Sequence, residues 1–186
     1  PISVFYMRDG GLSYFGGLGA GVLVGVLYCR KQKVSIGKMA DVAAPAVAIG
    51  YAIVRIGCLL NGCCYGRISE VPWALGAGPG GALRHPTQIY SAIASVIIFF
   101  ILRAVEPKKK FDGQILWLYA GLYCVGRFIV EFFRVGTRDY FAPLTATQVL
   151  CVLLAVLAFG VVRARARGAS PAEPNKPSAA GPSVKA

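Results

Sequence analysis

Charged residues make up 15% of this 186-residue chain and histidine occurs once, whereas soluble domains carry roughly 25% charged residues. The shortage of charge excludes an ordinary soluble fold. With 56% hydrophobic residues and a mean hydropathy of +0.60, the sequence predicts an all-α, polytopic transmembrane helix bundle. The shortage of histidine leaves His85 as the only imidazole for acid–base work. No CxxC pair and no second His accompany the cysteines, and adjacent cysteines chelate poorly as a pair, so no metal site is expected. No internal repeat is present, which weakens a transporter reading. No signal peptide is visible and residue 1 is Pro, so one or more upstream helices are expected before it.

The chain has 20 Lys and Arg against 8 Asp and Glu, a net charge of +12. Their placement argues for a membrane topology and not for nucleic acid. Arg30, Lys31, Lys33 and Lys38 form one cluster, Arg103 and Lys108 to Lys110 a second, and Arg163, Arg165, Arg167, Lys176 and Lys185 a third. Every lysine falls in these groups. Between them lie five candidate spans, 10–29, about 42–62, 86–102, 113–133 and 140–162, each near the ~20 residues a bilayer core requires. Basic loops face the cytoplasm, which puts 63–85 and 134–139 outside and the C-terminus inside. Residues 1–165 form the membrane domain on this pattern. From 166 to 186 the sequence is rich in Pro, Ala, Ser and Gly without apolar periodicity, predicting a disordered cytoplasmic tail.

Gly17, Gly21 and Gly25 recur every fourth residue in the first span, a spacing that lets a neighbouring helix approach closely. The glycine-rich outer end, GGLSYFGGLGAG, also fits a loop lining a cavity. Most of the six cysteines read as small apolar residues. Cys58, Cys63 and Cys64 are the exception, because the topology puts them toward the oxidising face, where a disulfide or reactive thiol is conceivable.

Arginine at membrane depth costs about 2.5 to 3.5 kcal/mol on insertion scales, so it marks a partner, a cavity or a function. Arg55 lies on the ladder Tyr51, Arg55, Leu59, and the following GCLLNGCCYG predicts a broken helix lining a polar cavity, with Asn61 in it. In the fourth span Tyr119, Tyr123, Arg127, Glu131 and Arg134 project from one side of a helix. Mutual neutralisation of Arg127 and Glu131 accounts for that pair but leaves Tyr119, Tyr123 and Arg134 over. The stretch RHPTQIY, with His85, Thr87, Gln88 and Tyr90, adds hydrogen-bonding groups at the outer mouth of the third span, although Pro86 alone explains a helix start there. Arg55, Arg84, Arg127 and Arg134 are expected to surround one anion, and phosphate matches their bidentate geometry.

These segments, in this order, resemble the prolipoprotein diacylglyceryl transferase family over roughly residues 10–162. GGLSYFGGL resembles its glycine-rich segment, which commonly has His where this chain has Phe15. VRIGCLLNGCCYGR resembles the signature Gly-Arg-x-Gly-Asn-Phe-x-Asn-x-Glu-x-x-Gly, matched at Arg55, Gly57, Asn61 and Gly66. Cys58 replaces the signature's first Asn, Cys63 its Glu, and Val54 its first Gly. RHPTQIY and YCVGRFIVEFFR also match, including Tyr123, Arg127, Glu131 and Arg134.

The resemblance implies a seven-helix fold, of which about two helices precede residue 1. It also implies transfer of the diacylglyceryl group of phosphatidylglycerol to the thiol of a prolipoprotein lipobox peptide, without a cofactor, in the bacterial inner membrane. Arg55 and Arg127 then hold the phosphate, Asn61 donates hydrogen bonds, and His85 is the candidate base. Tyr123, Arg134, Glu131, Gln88, Tyr90, Gly66, Cys58 and Cys63 contact substrate. The alternatives are a divergent transferase with another acceptor, in which Cys58 and Cys63 supply thiol chemistry, and a non-catalytic protein that binds anionic lipid.

Overall fold

The computed structural model describes residues 12–76, 81–134 and 144–168, the stretch 12–18 as backbone only. Five α-helices account for most of it: α1 Leu12–Lys31, α2 Ile36–Leu60, α3 Thr87–Val105, α4 Gln114–Glu131 and α5 Ala146–Gly168. Each falls on one of the five expected spans. Among the described residues, three segments are long and apolar enough to cross a membrane: Ile36–Leu60, Thr87–Lys108 and Ala146–Gly168. Large apolar side chains such as Leu60, Phe100, Leu153 and Val156 are exposed outward, as expected of a bundle whose solvent is lipid. This is a multi-pass membrane protein. α4 is less apolar than these three for a physical reason, since it carries the polar face with Tyr119, Tyr123, Arg127 and Glu131.

The tight contact between helices is made by alanine. Ala44, Ala48 and Ala52 recur along one buried face of α2, and Ala44 and Ala48 pack with Ile98 and Leu102 of α3 and Ile115 of α4 to form the core. Small residues let backbones approach, which supplies packing where no water drives helices together. Among the described residues the glycines expected to do this in α1 meet no neighbour: a Cβ on Gly21 or Gly25 would have nothing within 4 Å. Gly17 lies outside the residues whose side-chain surroundings are described. From Leu12 the glycine-rich segment is helical and forms no cavity loop. α5 packs against α4, where Phe159 seats on Gly121 so closely that a Cβ there would lie 2.9 Å from the ring.

One end of the bundle is organised by a buried carboxylate. Gly113, at the N-cap of α4, has no side chain to satisfy the first N–H groups of the helix. Asp41 of α2, only 2% exposed, supplies the missing acceptor: its Oδ2 accepts from the Gly113 N–H at 2.9 Å, its Oδ1 from Ile115 at 2.9 Å and Leu116 at 3.2 Å. A negative charge at a helix N-terminus also meets the macrodipole favourably, and Lys109 Nζ lies 3.4 Å away. α5 starts on a reciprocal cap, in which the Thr145 N–H donates to Gln148 Oε1 and the Gln148 N–H to Thr145 Oγ1. α5 runs to Gly168, so the first residues of the expected tail are helical. From 169 on, the tail lies outside the described residues.

At the other end the chain leaves α2 and forms a short hairpin, β1 Leu75–Gly76 against β2 Leu83–Arg84. The loop also pairs Gly66 with Arg134 and Ile68 with Arg84, tying the exits of α2 and α4 to the entrance of α3. α2 is therefore not a broken helix. It runs unbroken through Arg55 and Gly57 to Leu60 and ends once, at Asn61.

Candidate functional site

Three helices direct polar groups at one another within the apolar bundle. From α2, the Arg55 guanidinium donates to the Tyr51 hydroxyl and stacks on that ring at 4.7 Å, one helical turn apart as the ladder predicted. Tyr51 meets Tyr123 of α4 edge to face, centroids 5.4 Å apart, and Tyr119 follows Tyr123 at 6.0 Å. Arg127 pairs with Glu131 at 2.6 Å, so the expected i,i+4 pair forms. Tyr123 lies within electrostatic reach of both Arg55 and Arg127. Tyr51, Tyr123 and Arg127 then close a cleft with Ser91 and Ser95 of α3. The cleft encloses about 10 Å³, room for about one water.

Two apolar hollows flank this centre. The first, about 350 Å³, lies between α2 and α3 and is lined by Ala52, Ile56, Ile89, Ile93 and Ile97, with Arg55 and Gln88 as its only strongly polar members. Arg55 Nε and Gln88 Oε1 are buried without a hydrogen-bond partner among the described residues, and an unmet buried polar atom is costly unless something else meets it. The second, about 400 Å³, lies at the end of the bundle where α3 starts and is lined by Trp73, His85, Tyr90, Ile129 and Phe133. Ala94, Gly126 and Val130 line both this hollow and the polar cleft, so the two adjoin.

This end of the bundle is an aromatic cluster. His85 Nδ1 lies 3.1 Å from the Tyr90 hydroxyl, which also accepts from Trp73 Nε1 at 2.7 Å. Phe133 packs on both the His85 and Tyr90 rings. Gly66 stands beneath it for a steric reason: a Cβ there would collide with the Phe133 carbonyl and come within 2.8 Å of Thr87 Cγ2 and 2.9 Å of His85 Cβ. Its N–H donates to the His85 carbonyl at 2.8 Å. Position 66 thus fixes where His85 stands.

The four expected arginines do not surround one cavity. Arg55 and Arg127 share the tyrosine centre, but Arg84 donates to the Gly66 carbonyl at 3.4 Å and Arg134 joins the same loop through its backbone, where its carbonyl accepts from Arg67 Nε at 3.1 Å. Neither lines the polar cleft. The reason is the loop pairing, which engages 84 and 134 as strand partners of 68 and 66.

Asn61 caps α2 and sits exposed beside the thiols. Cys58, Cys63 and Cys64 converge, with Sγ atoms all within 4.8 Å of one another. The Cys63 thiol is held below the usual thiol range, chiefly by the hydrogen bond from Cys64 and then by those of Cys58 and Asn61. Phe15, at the position of the family's histidine, lies outside the residues whose side chains are described.

Sequence reasoning missed Tyr51 as a site residue, along with Ser91, Ser95, Trp73 and Phe133. A signal for the serines was available: Thr87, Ser91 and Ser95 step by four along the mostly apolar α3, a polar stripe on one face.

Comparison with known proteins shows the family. The family model described as Prolipoprotein diacylglyceryl transferase matches residues 1–163. A phosphatidylglycerol–prolipoprotein diacylglyceryl transferase of Geobacter sulfurreducens is 39% identical over 136 residues, 72% of this chain and 52% of that protein. The protein of the same name from Aliarcobacter butzleri is 36% identical over 169 residues, 87% of this chain and 61% of its own length. That of Clostridium tetani is 33% identical over 163 residues, 83% of this chain and 66% of its own. The chain thus spans roughly half to two thirds of the relatives it matches, and in that span it belongs to the prolipoprotein diacylglyceryl transferase family.

Proposed function

We propose that the protein transfers the diacylglyceryl group of phosphatidylglycerol to the lipobox cysteine thiol of prolipoproteins, forming a thioether and releasing glycerol phosphate. The observation that carries this reading is the pair of guanidiniums, Arg55 and Arg127, gathered around Tyr51 and Tyr123 beside two apolar hollows. A phosphodiester with acyl chains has that polarity: an anionic head needing cations in low dielectric, and tails needing apolar walls. The phosphate leaves as an anion, so Arg55 and Arg127 bind the headgroup and stabilise the charge that develops on it. Tyr123 orients the ester. Gln88, with a buried unmet oxygen in the α2–α3 hollow, offers an acceptor to a glycerol hydroxyl.

The incoming thiol attacks as thiolate. His85, hydrogen-bonded to Tyr90 at the adjoining outer hollow, is positioned to take its proton, while Glu131 holds Arg127 in place and Asn61 donates to the acceptor side. Cys58 at the end of α2, Tyr90 at the start of α3, and Cys63 and Arg134 of the connecting loop complete the substrate-facing surface, with Gly66 packed beneath it. The basic clusters support an inner-membrane protein with the C-terminus in the cytoplasm and this site toward the outer leaflet. The membrane domain then runs over 1–165, with the tail beyond it.

The test is a transfer assay on the full-length protein in liposomes with phosphatidylglycerol and a lipobox peptide, read by product mass. A diacylglyceryl adduct on the peptide cysteine is the expected result. A folded protein that binds phosphatidylglycerol and yields no adduct overturns it, in favour of a relative with a different acceptor or of a lipid-binding protein.

A further inference from the structure

Cys58, Cys63 and Cys64 do more than replace the family's residues. Neighbouring side chains in an extended chain point to opposite faces, so adjacent cysteines seldom present both sulfurs to one point. Here Cys64 takes a left-handed φ of 66°, disfavoured for any residue with a Cβ, and the two sulfurs come to 3.5 Å. Cys58, from the last turns of α2, brings the third, all three Sγ atoms lying within 4.8 Å of one another. All three are free thiols. The turn is pinned from beneath: Thr87 Oγ1 donates to the Cys64 carbonyl at 2.7 Å and Gln88 Nε2 to the Cys63 carbonyl, from residues only 3% and 1% exposed. A strained turn held by two buried side chains is a preorganised arrangement of sulfur.

We propose that Cys58, Cys63 and Cys64 form a binding site for a soft, thiophilic metal ion, with Zn²⁺ the best fit. Zn–S bonds of about 2.3 Å in a tetrahedron put sulfurs about 3.8 Å apart, within the spacing found here. The set offers only sulfur, which disfavours Mg²⁺ and Ca²⁺. Three thiolates with Zn²⁺ carry one net negative charge, and Arg55, which interacts electrostatically with Cys58, offsets it. The side chain of Asn61 lies within reach of Cys63, placed for the kind of outer contact that orients a ligand. Cys64 is exposed, which gives the ion a way in, and the fourth coordination position stays open to water. By contrast Cys124 and Cys151, between α4 and α5, are buried and have no third ligand beside them among the described residues. The proposal stands whether or not the transfer reaction does.

The experiment is a titration of the full-length protein, reduced and anaerobic in detergent, with Co²⁺ alone and then with Zn²⁺ as competitor. One Co²⁺ per chain is expected, with thiolate-to-metal charge-transfer absorption that Zn²⁺ abolishes. Cys63→Ser and Cys64→Ser should each weaken binding at least tenfold, and Cys124→Ser should leave it unchanged. Cys64, being exposed, is the substitution the fold tolerates best, and an unchanged far-UV helical signal accompanies each measurement. Folded, reduced protein that takes up neither ion overturns the proposal. So does equal affinity in Cys64→Ser, or a disulfide joining two of the three thiols in protein alkylated before extraction from its membrane.

Discussion

Two buried carboxylates, Asp41 and Glu131, are each about 2% exposed and sit in helices of the same bundle, yet they are used differently. Asp41 spends its oxygens on backbone, accepting from the N–H groups of Gly113, Ile115 and Leu116. Glu131 pairs with a side chain, Arg127, which also lines a cleft. A carboxylate saturated by backbone holds two helices together and has nothing left for a ligand. A carboxylate that steadies an arginine beside a cavity leaves that cation's remaining donors available. The comparison separates the end of the bundle that builds the fold from the centre that we propose meets a substrate.

The largest effect should come from breaking the first carboxylate. Asp41→Ala leaves three N–H groups at the start of α4 without an acceptor and Lys109 without its partner, at a cost of about 3–5 kcal/mol. We expect a lower thermal midpoint in detergent and poor recovery from the membrane. Protein that does fold should keep its affinity for phosphatidylglycerol, because Asp41 lies on none of the hollows. Unchanged stability would show that Gly113 is capped adequately without it.

Arg127→Ala should invert that pattern, with transfer reduced roughly 10²–10³-fold, the scale of losing one donor to a developing oxyanion, and protein still inserted and helical. Since the change also removes the cation that faces buried Glu131, the double substitution Arg127→Ala with Glu131→Gln is the cleaner measurement: stability should recover in part while activity does not. Recovery of transfer in the double variant would make the ion pair structural, like Asp41, and would remove the phosphate reading of Arg127.

Gly66→Ala falls between the two. Its Cβ would be forced against the Phe133 carbonyl, Thr87 and His85, so the loop must shift, costing about 1–3 kcal/mol. Since His85 moves with it, transfer should fall along with the thermal midpoint. A variant that is inactive yet as stable as the wild type would mean that the loop adapts and only the placement of His85 is lost.

Much of this was legible in the sequence where the information is local. Helix positions follow from apolar length. The pairings of Arg55 with Tyr51 and of Arg127 with Glu131 follow from a spacing of four, because one helical turn brings such residues together whatever surrounds them. What was not legible depends on distant partners. Nothing near Asp41 announces that Gly113, seventy-two residues later, lacks a capping side chain. A run of small residues shows that close packing is possible without saying against what, so alanines of α2 make the contact expected of glycines in α1. The arginines were counted together because they share a charge, yet Arg84 and Arg134 are engaged by a strand pairing that periodicity cannot register. The thiols converge through the turn that ends α2, with Cys63 N–H on the Cys58 carbonyl and Cys64 at positive φ, a property of the folded loop.

The smallest predicted effect is the most discriminating. Tyr51→Phe removes one hydroxyl, the acceptor for Arg55, and keeps the ring that packs on Tyr123. The change frees a guanidinium and costs the fold about 0.5–1.5 kcal/mol at most. If the hydroxyl only satisfies Arg55, binding of phosphatidylglycerol should hold or tighten, because the arginine no longer has to leave a protein partner to reach the phosphate. If it aims Arg55 at the headgroup, the KM for phosphatidylglycerol should rise about three- to tenfold with kcat nearly unchanged, as expected when uniform binding is lost. We expect the second outcome, since cation–π stacking at 4.7 Å already stabilises the guanidinium and leaves orientation as the hydroxyl's contribution. A fall in thermal midpoint as large as that of Asp41→Ala, with KM unmoved, would instead place Tyr51 and Arg55 with the groups that build the bundle.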